Sequence, residues 1–251
     1  MTNARLLHEP NRSGFVLEGI GILFNHPTRM NLSIIITGST GMVGKSVLLE
    51  CLDSPHVGKV LVVNRRTVGM THPKLAEVLL DDLARVSDIR DALRGYHACF
   101  FGMGVSAAGM SEADYTRLSY DIPKAWVETL YALNPSMTFL YVSGMGTDET
   151  EKGRMMWARV KGRTENLVLG KGFAHAYAIR LGALLPERGI RSSTPLYRLL
   201  YVLMRPFFPL MRRSKQVITS SAFGRGIINL IRFPQPKDRI YNADLNELAA
   251  R

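Results

Sequence analysis

The sequence predicts an α/β chain built on a doubly wound parallel sheet. Two observations lead there. Short apolar runs rich in β-branched residues, the pattern of strands buried on both faces, alternate with helical stretches along most of the chain. The first such run, Leu32-Ser33-Ile34-Ile35-Ile36-Thr37, passes at once into glycines and then into a helix-forming segment.

Residues 1–30 have no clear period and read as an extension ahead of the fold, with Met30 as an alternative start directly before the first strand. Met42 to Leu52 reads as a helix, closed by Asp53-Ser54-Pro55. Val60-Leu61-Val62-Val63 is the second strand, Val78-Leu79-Leu80 the third and Ala98-Cys99-Phe100-Phe101 the fourth. Helical material, including Ile89 to Leu93, separates the last two, and a long helix from about Ser111 to Leu133 follows. Thr138 to Val142 is the fifth strand, Glu151 to Leu169 a helix, and Tyr177-Ala178-Ile179 part of a sixth strand. Residues 31–251 read as one domain whose pattern changes beyond Leu181.

Composition narrows the class. With 46% apolar and 21% charged residues, the 251-residue chain is neither disordered, collagenous nor low in complexity. The net charge of +11 is uneven: residues 1–151 sum to −3 and residues 152–251 to +14. Such an excess suits an anionic partner. No nucleic-acid motif accompanies it, so no specific nucleic-acid partner is expected. Residues 195–213 are apolar and aromatic, punctuated by Arg198, Arg205, Arg212 and Arg213, with three prolines that forbid one continuous helix. They read as a wall for an apolar substrate, as a peripheral membrane contact, or as a helix packed on the sheet with its arginines turned outward. Cys51 and Cys99 form no disulfide framework, which points to a reducing compartment, and the chain start lacks secretory or transit character; a cytoplasmic location is the expectation. No Cys or His pair has zinc-ligand spacing.

The first strand runs into Thr37-Gly38-Ser39-Thr40-Gly41-Met42-Val43-Gly44. In this spacing Gly38 lets the chain turn off the strand, Gly41 lets backbone approach a pyrophosphate, and Gly44 allows close helix packing. The helix start, through the amides of Met42 and Val43, offers donors and a positive dipole end to phosphate. Strand before and helix after make this a dinucleotide-binding loop. Gly44-Lys45-Ser46 has the ending of an NTPase phosphate loop, but that motif would need glycine at position 39, which is Ser39.

NAD-binding sites of this type carry an acid at the end of the second strand, for the ribose 2′-hydroxyl. Here Asn64-Arg65-Arg66 follows Val63. A carboxylate repels a 2′-phosphate and a guanidinium binds it, so NADP is expected over NAD, with Arg65 and Arg66 as the phosphate-binding residues. Two plain surface arginines are the alternative. Asp82 and Leu83, after the third strand, are placed for the adenine; Gly102, Met103 and Gly104, after the fourth, are placed beside the cofactor.

Together the Thr37–Gly44 loop, Phe101-Gly102-Met103-Gly104, Tyr141-Val142-Ser143-Gly144 and the block from Gly153 to Gly162 resemble the short-chain dehydrogenase/reductase superfamily in its atypical branch. The likeness is to bacterial NAD-dependent epimerase/dehydratase-like proteins and, more distantly, to Tat-interacting-protein-like oxidoreductases. It implies a Rossmann fold from about Asn31 onward, with residues 182–251 forming a small substrate lobe over the nicotinamide end. It also implies a catalytic Ser and a Tyr-x-x-x-Lys pair. Ser143 and Lys161 match, Lys161 also serving the nicotinamide ribose; the tyrosine position is Trp157.

In that superfamily the phenol is the general acid/base, and indole cannot release a proton near neutral pH. The slot is therefore empty or filled from elsewhere, with Tyr115 and Tyr120 as candidates by residue type. Ser143 also reads as a strand-end cap, and Lys161 as the partner of Glu165 one turn on. Two functions stay open: an NADP-dependent oxidoreductase or epimerase acting on a small molecule, an apolar one in the substrate-wall reading of residues 195–213, and an NADP(H)-binding redox sensor or interaction module without turnover.

Overall fold

The computed structural model describes residues 4–8, 31–190, 208–211 and 214–251 of the chain. Ten strands occur among them: β1 (Ala4–His8), β2 (Leu32–Thr37), β3 (Val57–Asn64), β4 (Leu75–Leu80), β5 (Ala98–Phe101), β6 (Thr138–Val142), β7 (His175–Arg180), β8 (Ala183–Leu185), β9 (Val217–Thr219) and β10 (Arg239–Tyr241). The main sheet has the order β1-β4-β3-β2-β5-β6-β7-β10. Its last seven strands run parallel and β1 pairs antiparallel with β4. β8 and β9 form a separate parallel pair. This is the α/β Rossmann architecture the sequence predicted.

The apolar runs are unbroken because helices cover both faces. Ile34, Ile36, Val60, Val62 and Phe100 point to one side, with α1 (Met42–Asp53) and two late helices, α6 (Ser220–Arg232) and α7 (Asn242–Ala249). Ile35, Leu61, Val63, Cys99 and Phe101 point to the other, with 3-10 turns over Leu83–Leu93 and with α3 (Ile122–Leu133). The remaining helices are α2 (Glu112–Thr116), α4 (Met156–Gly170) and the short α5 (Phe208–Met211).

The expected long helix over 111–133 is present as α2, a π-helical turn at Arg117–Asp121, and α3. Pro123, in the first turn of α3, has no N–H to give the carbonyl of Ser119 four residues earlier. The Thr164 hydroxyl of α4 donates to that carbonyl instead, at 2.8 Å, so the missing bond is replaced from a neighbouring helix. The α4 helix begins at Met156 and not at Glu151. Asp148 is the cause: its carboxylate accepts from the Thr150 hydroxyl (2.6 Å) and from the Gly153 amide (2.6 Å), holding 148–153 in a turn.

Chain order reverses across β2. The β3 and β4 strands lie to one side and β5, β6 and β7 to the other, so a crevice opens where the loops after β2 and β5 part. Of the apolar, arginine-punctuated stretch 195–213, only α5 lies within the described residues.

Candidate functional site

The crevice is built from the glycine loop upward. Gly38 turns off β2 with φ +70, and a Cβ on it would stand 2.7 Å from the Gly102 carbonyl oxygen. A Cβ on Gly44 would stand 2.3 Å from the Gly38 carbonyl oxygen. The loops after β2 and β5 therefore touch through backbone, and the first turn of α1 lies directly on them. Gly41 caps α1 in extended conformation with no side-chain cap, and the first turn carries no acid. The first-turn amides, those of Met42 and Val43 among them, thus keep their donors free of intrahelical partners and carry the positive end of the helix dipole.

A groove of about 430 Å³ runs from this point, lined by Gly38, Thr40, Gly41, Arg65, Arg66, Leu83, Gly102, Met103 and Gly104 of the predicted residues. Arg65 and Arg66 are exposed at one end of it. Two lining residues escaped the sequence reading as site residues: Asn64 and Thr67. The Asn64 side-chain amide donates to the Ser39 hydroxyl at 2.8 Å, while its Oδ1 is buried without a partner. Thr67 donates to buried Glu77 at 2.6 Å, and Glu77 also accepts from the Val68 amide, which pins the chain just past the arginines. The signal for Glu77 was an acid inside the apolar run Leu75 to Leu80.

Four predicted cofactor-binding residues lie outside this lining. Met42 and Val43 turn their side chains to the core, leaving only their backbone for a ligand. Asp82 caps the following 3-10 turn by accepting from the Ala84 amide at 2.9 Å. Its neighbour Leu83 lines the groove, its carbonyl held by the indole N–H of Trp126 at 2.9 Å. Lys161 belongs to a second cluster at the same end of the sheet.

That second cluster joins β6 to α4. Ser143, 6% exposed, donates its hydroxyl to the Ile179 carbonyl at 3.3 Å. Lys161 donates to the carbonyl of Val142, the residue before Ser143, at 3.3 Å. Burial pushes the Lys161 pKa down to about 8, against the opposing pull of the Glu165 carboxylate. Glu165 itself pairs with Arg180, at 2.7 Å, and is wholly buried. Trp157 stands one helical turn before Lys161, its six-membered ring over Gly146.

Both alternative phenols have contacts elsewhere. Tyr115 is buried and hydrogen-bonded to Ser119, and burial raises its pKa. The Tyr120 ring lies under the Arg163 guanidinium at 4.0 Å. The geometry offers orphan amides, guanidinium groups and a long shaped groove, with a hydroxyl and a low-pKa ammonium at the same end of the sheet.

No family model matches the chain. Among curated proteins, the mitochondrial protein FMP52-1 of Aspergillus terreus is 28% identical over 170 residues, covering 65% of this chain and 71% of that protein. The mitochondrial protein FMP52 of Debaryomyces hansenii is 30% identical over 164 residues, covering 62% and 69%. Similar solved structures include uronate dehydrogenase from Agrobacterium tumefaciens, with TM-score 0.60 and 15% identity over 84% of this chain and 76% of that one. The GalE-like L-threonine dehydrogenase from Cupriavidus necator has TM-score 0.64 and 11% identity over 83% and 77%. The Bordetella bronchiseptica enzyme WbmH, solved with NAD+, has TM-score 0.60 and 14% identity over 84% and 74%. At such identities these likenesses establish the shared fold. The relatives' names as mitochondrial proteins overturn the cytoplasmic expectation. Its physical basis was weak: Cys51 and Cys99 are both buried and free, so neither meets the medium whose redox state it was used to infer.

Proposed function

The chain belongs to the FMP52 family, and on that premise we propose that it is an NADP(H)-dependent oxidoreductase or epimerase of the short-chain dehydrogenase/reductase type, acting on a small carbonyl or alcohol. One observation carries the reading: a groove that opens on the uncapped start of α1 at Gly41 and on Arg65 and Arg66, with no acid among its lining residues. The cradle fits a dinucleotide. The Gly38–Gly102 approach leaves no room for side chains where backbone must meet phosphate, and the orphaned Oδ1 of Asn64 supplies an acceptor for a ribose hydroxyl or an amine.

In this reading the Met42 and Val43 amides bind the pyrophosphate, and Arg65 and Arg66 take a 2′-phosphate, which favours NADP over NAD. The bound nucleotide supplies or accepts a hydride. Ser143 turns its hydroxyl from the Ile179 carbonyl to polarise a substrate oxygen, and Lys161 holds the nicotinamide ribose and a transferable proton at its Nζ.

Trp157 favours a second reading, in which NADP(H) binds without turnover. The test is to measure NADPH oxidation against a panel of generic carbonyls for the unmodified protein and for Trp157→Tyr. A working general acid/base contributes about 10²–10⁴-fold. Measurable reduction by the unmodified protein that Trp157→Tyr impairs supports the enzyme with a different working site. A near-zero baseline raised at least about tenfold by Trp157→Tyr assigns the natural protein to binding without turnover.

A further inference from the structure

Among the described residues four large apolar side chains stand exposed, and two of them lie on one loop. Met145, 41% exposed, and Met155, 58% exposed, stand near the two ends of the segment that joins Ser143 to Trp157. The Met145 sulfur packs on Gly182, 2.8 Å from where a Cβ would be, and the Trp157 ring packs on Gly146, 3.5 Å from the corresponding point. Both side chains are thus laid on bare backbone and held in place from behind. Ser143 is two residues before Met145, and Lys161 is one turn after Trp157. The indole and the thioether therefore lie on the stretch of chain that joins the hydroxyl to the ammonium, the two groups to which the oxidoreductase reading gives the chemistry.

A thioether and an indole face attract flat, polarizable surface. Between them they offer one hydrogen-bond donor, too few for the hydroxyls of a sugar. We propose that the substrate is a carbonyl compound bearing a planar aromatic or conjugated ring, which packs against Trp157 and Met145. The inference rests on the oxidoreductase reading and narrows its substrate class. In the reductive direction the carbonyl π bond breaks. Carbon gains a hydride from NADPH, which is oxidised to NADP+, and oxygen gains a proton from Lys161, which water restores.

The two tryptophans make the test direct. Trp126 is wholly buried, with its indole N–H on the Leu83 carbonyl, and serves as the internal control. The full chain, labelled with nitrogen-15 and saturated with NADPH, is titrated with acetophenone and separately with D-glucuronate, and the two indole N–H signals are followed. Trp157→Phe assigns them. Acetophenone is expected to shift the Trp157 signal saturably and leave that of Trp126 in place, while glucuronate moves neither. Met145→Ser should weaken acetophenone binding about three- to tenfold. A Trp157 signal unmoved by acetophenone, or moved by glucuronate, overturns the inference. So does a Trp157 signal that moves on dilution without ligand, which would give this face to a second copy of the chain. NADPH calorimetry on the same sample separates the failures. NADPH bound with Trp157 silent overturns the substrate class alone; no NADPH binding overturns the oxidoreductase reading and the substrate class with it.

Discussion

Burial lowers the Lys161 pKa from 10.5 to about 8, and the direction has consequences in both stability and function. Between those values the unfolded chain holds a proton that the folded chain has released, so stability rises with pH across that window. Below about pH 8 both states are protonated and the folded chain bears the cost of a desolvated ammonium. Melting curves of the unmodified protein and of Lys161→Met, taken from pH 7 to 10, should show the unmodified protein gaining on the variant as pH rises. A constant gap would contradict the depressed pKa. Any ribose contact or proton transfer through the ammonium should fade over the same rise through about pH 8. Two readings of this residue stand in the sequence, a pair with Glu165 one turn on and a ribose contact; in the structure Arg180 engages Glu165 and Lys161 donates to the Val142 carbonyl. Ser143 fulfils its strand-end reading as drawn, with its hydroxyl on Ile179, and is available for chemistry only by leaving that bond.

The elements fit together through a small number of irregular places. At the π-helical turn, Thr164 replaces the donor that Pro123 lacks. Thr164→Val should leave the buried Ser119 carbonyl unpaired and cost about 1–3 kcal/mol in urea unfolding, while Thr164→Ser keeps the hydroxyl and most of the stability. Equal losses in the two variants would show that packing, not the hydrogen bond, matters there. Strands β2 to β7 were legible in the sequence because burial on both faces leaves a mainly apolar run in each. The three-residue strands β8, β9 and β10 are too short for any period to register. Helix α6 carries Gly224 and Gly226, which weaken a helical pattern. They are glycines because a Cβ there would come within 2.6 Å of the Ser46 carbonyl oxygen in α1 and 2.7 Å of the Leu245 carbonyl oxygen in α7. Most of the groove was legible from glycine spacing and strand ends. Asn64 and Thr67 were not, since their roles depend on contacts to Ser39 and Glu77 that lie far apart in the chain.

Over the whole molecule, the charge imbalance is partly internal. Arg188 pairs with Glu50 and Asp53, and Arg180 and Arg239 pair with Glu149, so basic residues of the later part meet acids of the earlier part. The excess therefore does not all face a partner. At the opposite edge, β1 adds to β4, beyond β3 and away from β5. A chain beginning at Met30 is accordingly expected to bind NADPH with unchanged affinity, measured by calorimetry; a clear loss would show that the edge strand supports the site.

The central claim is that the groove between the Gly38 loop and Gly102 takes a 2′-phosphorylated nicotinamide nucleotide. Dissociation constants for NADPH and NADH, measured by calorimetry on the unmodified protein and on Arg65→Asp, test it most directly. One or two charge-assisted hydrogen bonds of about 1.5–3 kcal/mol each predict about a tenfold to thousandfold preference for NADPH, abolished in Arg65→Asp. Equal constants for the two nucleotides in the unmodified protein, or binding of neither, would contradict it.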